Sequence, residues 1–167
     1  MIIEFVNHAS FVIHHKNTKL LIDPWIEGYA FYEGWALISK SKFNYNDFSN
    51  ITHIWFSHEH PDHFSPPVLN KIPIEYRRKI TVLYQKTLDK KVVEACKKME
   101  FGDVIELNPE WTNIGDDFKI YVQPHSDGDS WLCVKTADCC LLNVNDCVME
   151  TNKQIENIKA IAGNVDI

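Results

Sequence analysis

Hydrophobic and polar residues alternate along this chain in short runs, which is the pattern of half-buried β-strands. Near the N-terminus the pattern predicts strands over residues 2–6, 11–14 and 19–22. Residues 51–56 are mostly β-branched or aromatic, and they predict a buried strand that leads into a loop. Further strands are predicted over residues 80–84, 104–107, 118–122, 131–135 and 139–144.

Helices are predicted among these strands. Consecutive prolines at 66 and 67 predict a short helix, because proline is favoured in a first helical turn. Thr87 is expected to cap a second helix, and Thr151 to begin a third that ends at Gly163. The apolar positions of the second helix recur at helical spacing, at Leu88, Val92, Cys96 and Met99. Strands followed by alternating helices and strands predict an α/β fold, an α+β sandwich with helices outside the sheets.

Residues 24–48 show no regular period and contain many of the aromatic residues of the chain. A long irregular segment of this kind is often a binding loop or a lid. The rings would serve equally well to cover the sandwich or to pack on a partner. The sequence leaves these interpretations open.

Composition narrows the class of protein. A length of 167 residues predicts one domain over residues 1–167 with a substantial core. The net charge of −6 argues against a nucleic-acid partner. No apolar run approaches the roughly 20 residues that span a bilayer, and no signal peptide is visible, so no membrane partner is expected. Five cysteines without a Cys-x-x-Cys pair indicate reduced thiols in the cytoplasm.

The loop that follows the strand at 51–56 is the most informative segment. His58, His60, Asp62 and His63 lie within six positions there, and their side chains are of types that bind first-row metal ions. Four such groups so close together are costly without a cation between them. We therefore expect a metal site at this strand end, where a rigid scaffold commonly presents chemistry.

The His-x-His-x-Asp-His pattern after a hydrophobic strand resembles the signature of the metallo-β-lactamase superfamily. Asn-His-Ala-Ser-Phe at 7–11 and Leu-Leu-Ile-Asp-Pro-Trp at 20–25 are similar to the opening of the branch that contains ascorbate-6-phosphate lactonase. Asp-Pro-Trp at 23–25, with Leu-Asn at 142–143 and Asp-Cys at 146–147, resembles the lactamase-like domain of CMP-N-acetylneuraminate hydroxylase. The resemblance extends over essentially the whole chain.

This resemblance implies a four-layer αβ/βα architecture built from two similar halves. Domains of this kind are usually longer than this chain, so we expect a single metallo-β-lactamase-like domain that is truncated after the first half and incomplete at its C-terminus. A half-sandwich would leave an apolar sheet face uncovered. The expected partners are therefore a missing C-terminal half or a second copy of the chain.

The resemblance also implies roles for individual residues. His58, His60 and His125 would hold one metal ion, Asp62 and His63 a second, and Asp146 would bridge both. Asp62 would be catalytic, because it would orient a metal-activated water and accept its proton. His8 and Asp23 are predicted near the site as partners of the ligands or of the substrate, although hydrogen bonding within their own turns explains them equally well. Asp127 and Asp129 are either partners of the ligands or part of a solvated loop, and the loop is the favoured interpretation.

Imidazole and carboxylate ligands suit two divalent ions, first Zn²⁺ and also Mn²⁺ or Fe²⁺. Water activated by such ions is a nucleophile at neutral pH, which predicts a metal-dependent hydrolase of a small anionic substrate: a lactone, ester or phosphodiester. Two alternatives stay open. One is a component of nucleotide-sugar or sialic-acid-like metabolism related to CMP-N-acetylneuraminate hydroxylase, although the sequence lacks the cysteine and histidine pairs of a Rieske cluster. The other is a non-catalytic metal-binding fragment.

Overall fold

The computed structural model describes residues 1–167 except for the side chain of Asp127, so the interpretation of that residue lies outside the described residues. The strands are β1 (Ile2–Asn7), β2 (Ser10–His15), β3 (Thr18–Ile22), β4 (Tyr29–Ala30), β5 (Trp35–Ala36), β6 (His53–Phe56), β7 (Thr81–Gln85), β8 (Asp103–Leu107), β9 (Thr112–Gly115), β10 (Phe118–Pro124), β11 (Ser130–Lys135) and β12 (Cys140–Asn143). The α-helices are α1 (Pro66–Lys71), α2 (Ile74–Arg77), α3 (Lys91–Lys98) and α4 (Asn152–Ala162).

The first sheet contains six strands in the order β1-β2-β3-β6-β7-β8. β1, β2 and β3 pair antiparallel, whereas β3, β6, β7 and β8 run parallel. The central strand β6 is buried on both faces, with Ile54 and Phe56 in one core cluster and Trp55 in the other, as expected for a parallel strand. The loops that follow β3, β6 and β7 therefore meet at one edge of the sheet, where ligands commonly bind in parallel sheets.

The second sheet is antiparallel, in the order β12-β11-β10-β9. Its inner face packs on the inner face of the first sheet, and Ile120 and Leu132 share one core cluster there with Trp55 and Leu83. Side chains alternate between the two faces of a strand, so Trp131, the neighbour of Leu132, points outward instead.

Helices cover the outer faces of both sheets. α1 and α3 pack on the first sheet through Leu69 and Cys96, and α4 packs on the second through Ile158. Thr151 caps α4 in a capping box with Gln154, as its position before the helix predicted. Within the part of the chain that the structure describes, no helix combines the length and apolar character needed to cross a membrane. The order helix, sheet, sheet, helix confirms the predicted αβ/βα sandwich.

The start of α3 differs from the sequence prediction. The prediction that Thr87 caps this helix is wrong, because α3 begins at Lys91 and Leu88 is fully exposed. The Thr87 hydroxyl donates to the carbonyl of Asp89, and the Asp89 carboxylate accepts the Lys91 backbone N–H at 2.8 Å. Side-chain hydrogen bonds of this kind form a local turn in competition with the helix. Within α3 itself the predicted helical spacing of apolar residues is correct, because Val92 is buried.

The irregular segment over residues 24–48 divides into two kinds of structure. Near its ends, Trp25 and Phe48 are buried in the outer core of the first sheet. Its middle is a small hairpin of β4 and β5, whose tip has positive φ at Phe31 (+51°), Tyr32 (+54°) and Glu33 (+66°). Left-handed backbone costs a non-glycine residue about 1–2 kcal/mol, so this tip is strained. The ends of the segment cover the sheet, and the hairpin adds Ala30 to the same core cluster while its tip, at Tyr32, is exposed.

Candidate metal centre

The residues predicted to bind metal follow β6, at the edge where the parallel strands end. The chain turns back on itself at His60, because the backbone N–H groups of His63 and Phe64 donate to the His60 carbonyl at 3.0 and 2.7 Å. This turn returns the chain to the sheet just before α1. As a result, both ends of the six-residue motif face the same edge of the first sheet.

Asp23 follows β3, is fully buried and organises this loop. Its carboxylate accepts the backbone N–H of Ser57 at 2.8 Å and the Ser57 hydroxyl at 2.7 Å. It also lies 3.0 Å from Nδ1 of His63. Asp23 has a φ of +43°, a left-handed conformation that Asp tolerates better than most residues. A carboxylate at Nδ1 fixes the orientation of a histidine ring and directs its Nε2 toward the site.

The Nε2 atom of His63 faces two further carboxylates. It lies 3.4 Å from Oδ2 of Asp62 and 3.4 Å from Oδ2 of Asp146. Asp62 comes from the loop after β6 in the first sheet, and Asp146 comes from the turn after β12 in the second. The bridging role of Asp146 remains a prediction. That role requires Asp146 to lie near ligands of both ions, and its carboxylate is close to both His63 and His58.

His58 and His60 form a neighbouring group. Nε2 of His58 lies 2.9 Å from Nδ1 of His60 and 3.8 Å from Oδ2 of Asp146. On the other side of the ring, Nδ1 of His58 lies 2.9 Å from the Ser57 hydroxyl and 3.6 Å from Oδ1 of Asp129. Two ring nitrogens that face each other at 2.9 Å need a proton or a cation between them.

The surrounding charges set the protonation of these side chains. Burial alone lowers the pKa of His63, but hydrogen bonds and charges from Asp23 and Asp62 outweigh it and raise that pKa to about 10. Burial alone would raise the pKa of Asp62, but hydrogen bonds from His63 and His8 hold it at about 2. Burial and the charge of His63 lower the pKa of His58. The carboxylates thus create a negative potential that favours positive charge at the site.

His8 reaches the site from the turn between β1 and β2. Its Nε2 lies 3.1 Å from Oδ2 of Asp62, and its ring stands edge-on to that of His63 at 5.8 Å between centroids. The donor atoms of His8, Asp62 and His63 all lie within 4.8 Å of one another, and so do those of His58, His63 and Asp146. The structure therefore places both His8 and Asp23, which the sequence left undecided, in contact with the predicted ligands.

His125 is held differently from the other predicted ligands. Its Nε2 lies 3.0 Å from the carbonyl of Val148. In the part of the chain that the structure describes, neither candidate donor group includes His125 or His60, but Nδ1 of His60 lies 2.9 Å from Nε2 of His58. Asp129, for which the sequence favours a solvated loop over a partner of the ligands, lies beside His58. Ligation through Nε2 would replace the contact with Val148, and the role of His125 stays a prediction.

Two polar residues that sequence analysis did not single out complete the network. Ser57 connects Asp23 to His58, and Asn145 donates to Asp23 at 3.4 Å. Each directly precedes a predicted ligand in the sequence, and this adjacency was the only sequence signal for its role. Their shared partner Asp23 is distant in sequence, so no local pattern indicates the pairing.

The donor set fits divalent ions. It offers imidazole nitrogens and carboxylate oxygens, which Zn²⁺, Mn²⁺ and Fe²⁺ all accept. Oδ1 of Asp62 is buried and has no hydrogen-bond partner among the described residues. Such an oxygen is costly unless a cation or a water molecule completes its coordination. The residues that would hold the ions are His58, His60, Asp62, His63 and Asp146.

Comparison with known proteins adds a family and several relatives. The sequence profile of the β-lactamase superfamily domain matches residues 2–167. The cytidine monophosphate-N-acetylneuraminic acid hydroxylase of Danio rerio is 23% identical over 159 residues, which make up 90% of this chain and 26% of that protein. The chain thus spans about a quarter of the length of this relative.

Two solved structures share the fold at low sequence identity. CmlA, a diiron β-hydroxylase from Streptomyces venezuelae, has a TM-score of 0.75 at 23% identity, over 98% of this chain and 33% of CmlA. A possible metal-dependent hydrolase from Veillonella parvula has a TM-score of 0.75 at 20% identity, over 95% of this chain and 67% of the hydrolase. Identities this low establish the fold alone, and the two names describe different chemistry.

Proposed function

This chain belongs to the β-lactamase superfamily, as the motif at residues 58–63 predicted, and we propose that it carries the metal centre of a metal-dependent hydrolase. The convergence of imidazoles and carboxylates from loops of both sheets into two overlapping donor groups is the observation that supports this best. The proposed cofactors are two divalent ions, first Zn²⁺. The proposed substrate is a small anionic lactone, ester or phosphodiester.

Each side chain of the site has a defined role in this proposal. Asp23 and Ser57 orient the imidazoles of His63 and His58 by hydrogen bonds at their Nδ1 atoms. Asp62, with one carboxylate oxygen unpaired among the described residues, would orient a water molecule and accept its proton. Divalent ions, when bound, would lower the pKa of that water and polarise the substrate oxygen that gains charge.

A cavity beside the site offers room for a substrate. Its volume is about 590 Å³, and its lining includes Asn7, His8, Trp25, Trp35 and Ser39. Most of these walls are aromatic or aliphatic, with a few polar groups, as in most small-molecule sites. We propose that the uncharged part of the substrate lies here, with its reactive group directed toward the His8 side of the cavity.

A second candidate function follows from two of the similar proteins. The Danio rerio relative is a hydroxylase, and CmlA is a diiron β-hydroxylase. Imidazole and carboxylate ligands suit iron as well as zinc. Under this alternative the chain would bind iron for oxygen chemistry within a longer protein or complex. The identity of the metal therefore separates the two candidates.

Metal analysis of the full chain, joined to a substrate panel, tests the proposal. Wild type and His60→Ala are purified metal-free, reconstituted with Zn²⁺, Mn²⁺ or Fe²⁺, and analysed for metal per chain. Two equivalents of zinc that decrease in His60→Ala, together with hydrolysis of a lactone, ester or phosphodiester, are expected. Preferential iron binding without hydrolysis would favour the hydroxylase-related candidate. Zinc binding without turnover would indicate a metal-binding fragment, and no metal binding would exclude the metal centre.

A further inference from the structure

The turn that carries His8 is anchored through the neighbouring residue Asn7. His8 has a φ of +48°, a left-handed conformation in which histidine is more common than most residues. The Asn7 side chain holds this turn, because its Oδ1 accepts the His8 backbone N–H at 3.0 Å and its Nδ2 donates to the Ser39 carbonyl at 2.9 Å. A strained backbone position that its surroundings hold in place is common at functional sites.

The ring of His8 is also fixed. It stands edge-on to Trp25 at 5.3 Å, to Trp35 at 6.4 Å and to His63 at 5.8 Å between ring centroids. These contacts aim Nε2 at Oδ2 of Asp62, 3.1 Å away. Packing on three other rings and the contact with Asp62 together favour this orientation of the imidazole, although the side chain is 35% exposed.

The two separations that involve Asp62 match those of ligands on one ion, and all three donor atoms lie within 4.8 Å of one another. Bonds of about 2.0–2.2 Å to a tetrahedral ion place neighbouring ligand atoms about 3.4 Å apart. Oδ2 of Asp62 lies 3.1 Å from Nε2 of His8 and 3.4 Å from Nε2 of His63. Asp62 is buried, and its second oxygen has no partner among the residues that the structure describes. The group therefore combines donor spacings and ligand types that suit a metal ion with a carboxylate oxygen that has no other partner among the described residues.

We propose that His8 is a metal ligand, which binds through Nε2 the same divalent ion as Asp62 and His63. The inference rests on the proposed metal centre and assigns one more of its ligands. It gives the ion beside Asp62 three protein donors from this chain, with Asp146 adjacent to His63 as a fourth. The alternative is that His8 only donates a hydrogen bond to Asp62 and positions that carboxylate.

Zn²⁺ and Co²⁺ titration of His8→Asn tests the proposal. Asparagine tolerates positive φ, so it preserves the turn, but its side chain is too short to reach the ion. His14→Asn is the matched control, because His14 pairs with Glu4 at 2.9 Å on the same strands and away from the site. His8→Gly is a second variant that suits the same φ. Circular dichroism and thermal unfolding check that each variant folds.

The expected result is that wild type and His14→Asn bind two ions, whereas His8→Asn keeps one and loses at least about 100-fold in affinity for the other, beyond the usual effect of removing a supporting hydrogen bond. In the Co²⁺-loaded protein, one paramagnetically shifted imidazole resonance should also disappear. A smaller loss with every shifted resonance retained would overturn the proposal and leave His8 a positioning residue. Unchanged binding of two ions would overturn it as well. Failure of the wild type to bind metal would instead refute the proposed function.

Discussion

The proposed metal centre is built from two arms that differ in how firmly they are held. The first arm is Asp23 with the loop after β6, where His58 and His63 are only 2% and 1% exposed. The second arm, from the second sheet, brings Asp146, whose side chain is 53% exposed, and His125, which contacts a backbone carbonyl. A buried network of hydrogen bonds orients the first arm. It is therefore preorganised for a metal, whereas the second arm has room to adjust.

The outer layers of the sandwich show the same asymmetry. Among the described residues, the outer core of the first sheet contains 21 buried hydrophobic residues, whereas the outer cluster of the second contains six. Stability follows buried apolar area, so the second-sheet side is expected to open first in local unfolding. Matched substitutions on the two sides should therefore have unequal effects.

The largest difference in stability is expected between two variants that each replace one aspartate by asparagine, the first on one arm and the second on the other. Asp23→Asn suits the positive φ but puts an amide where a buried carboxylate accepts hydrogen bonds from Ser57 and His63, so it should lower the free energy of unfolding by about 2–4 kcal/mol. Asp146→Asn is exposed and should change it by less than about 0.5 kcal/mol. Urea unfolding of the metal-free protein measures both. Equal losses would mean that the arms are held alike.

Alkaline pH should destabilise the first-sheet side through Cys96. Burial raises the pKa of this thiol to about 12, whereas a thiol in an unfolded chain ionises near about 8.5. The unfolded state loses its proton first, so the contribution of Cys96 is intact below about pH 8.5 and decreases as pH rises toward 12. Between pH 7.5 and 10 the loss should approach about 2 kcal/mol.

Urea unfolding at the two pH values measures this loss, and Cys96→Ala is the control. The variant should retain part of the pH dependence, because burial also raises the pKa of Cys133 and Cys147 to about 12 on the second-sheet side. Identical pH dependence in wild type and Cys96→Ala would contradict the assignment to Cys96.

Thiol labelling ranks the two sides by the ease with which they open. Cys96 in the α3 layer and Cys147 in the α4 layer are both buried, so at pH 8 each should react only when its layer opens. We expect Cys147 to be alkylated at least about 10-fold faster than Cys96, because its layer is smaller. Cys139, which is partly exposed, should react before either and serves as the reference. Mass spectrometry during iodoacetamide treatment gives the order, and faster reaction at Cys96 would reverse the ranking.

The smallest effect is expected at the hairpin tip beside the first arm. Tyr32 is fully exposed at a φ of +54°, so Tyr32→Gly should relieve strain and raise the free energy of unfolding by about 0.5–1 kcal/mol. Phe31→Gly relieves similar strain but removes a ring whose centroid lies 5.0 Å from that of Trp35 and 5.9 Å from that of His60. Its gain in the free energy of unfolding should therefore be smaller or absent. Thermal unfolding compares the two. A stability loss in Tyr32→Gly would show that the tip is not strained.

Local signals were enough to locate β6 and to predict that metal ligands follow it. Residues 51–56 and the four donors that follow are contiguous, so composition and spacing alone predicted a strand and a metal site. The approach of Asp146 to His63 depends on how the second sheet packs on the first, and no local pattern encodes that packing. Only the family resemblance indicated Asp146 before the structure did.

The sequence was less informative where tertiary contacts determine the backbone. His8, Asp23 and Asn145 all have positive φ and converge on the site, and such conformations persist only because surrounding contacts hold them. Residue type alone therefore left His8 and Asp23 undecided. The prediction at Thr87 failed for a local reason, because the Thr87 hydroxyl and the Asp89 carboxylate form hydrogen bonds of a turn instead of a helix cap.

The arrangement of tryptophans gives the site a built-in optical reporter. Trp25 and Trp35 stand next to His8, with ring centroids 5.3 and 6.4 Å away. Open-shell ions such as Cu²⁺ quench indole emission at short range, whereas closed-shell Zn²⁺ does not. Trp111 packs instead in the outer cluster of the second sheet, with the ammonium of Lys135 4.9 Å from its ring centroid. Fluorescence of the unlabelled chain can therefore follow the arrival of an ion and distinguish one electronic class of metal from another.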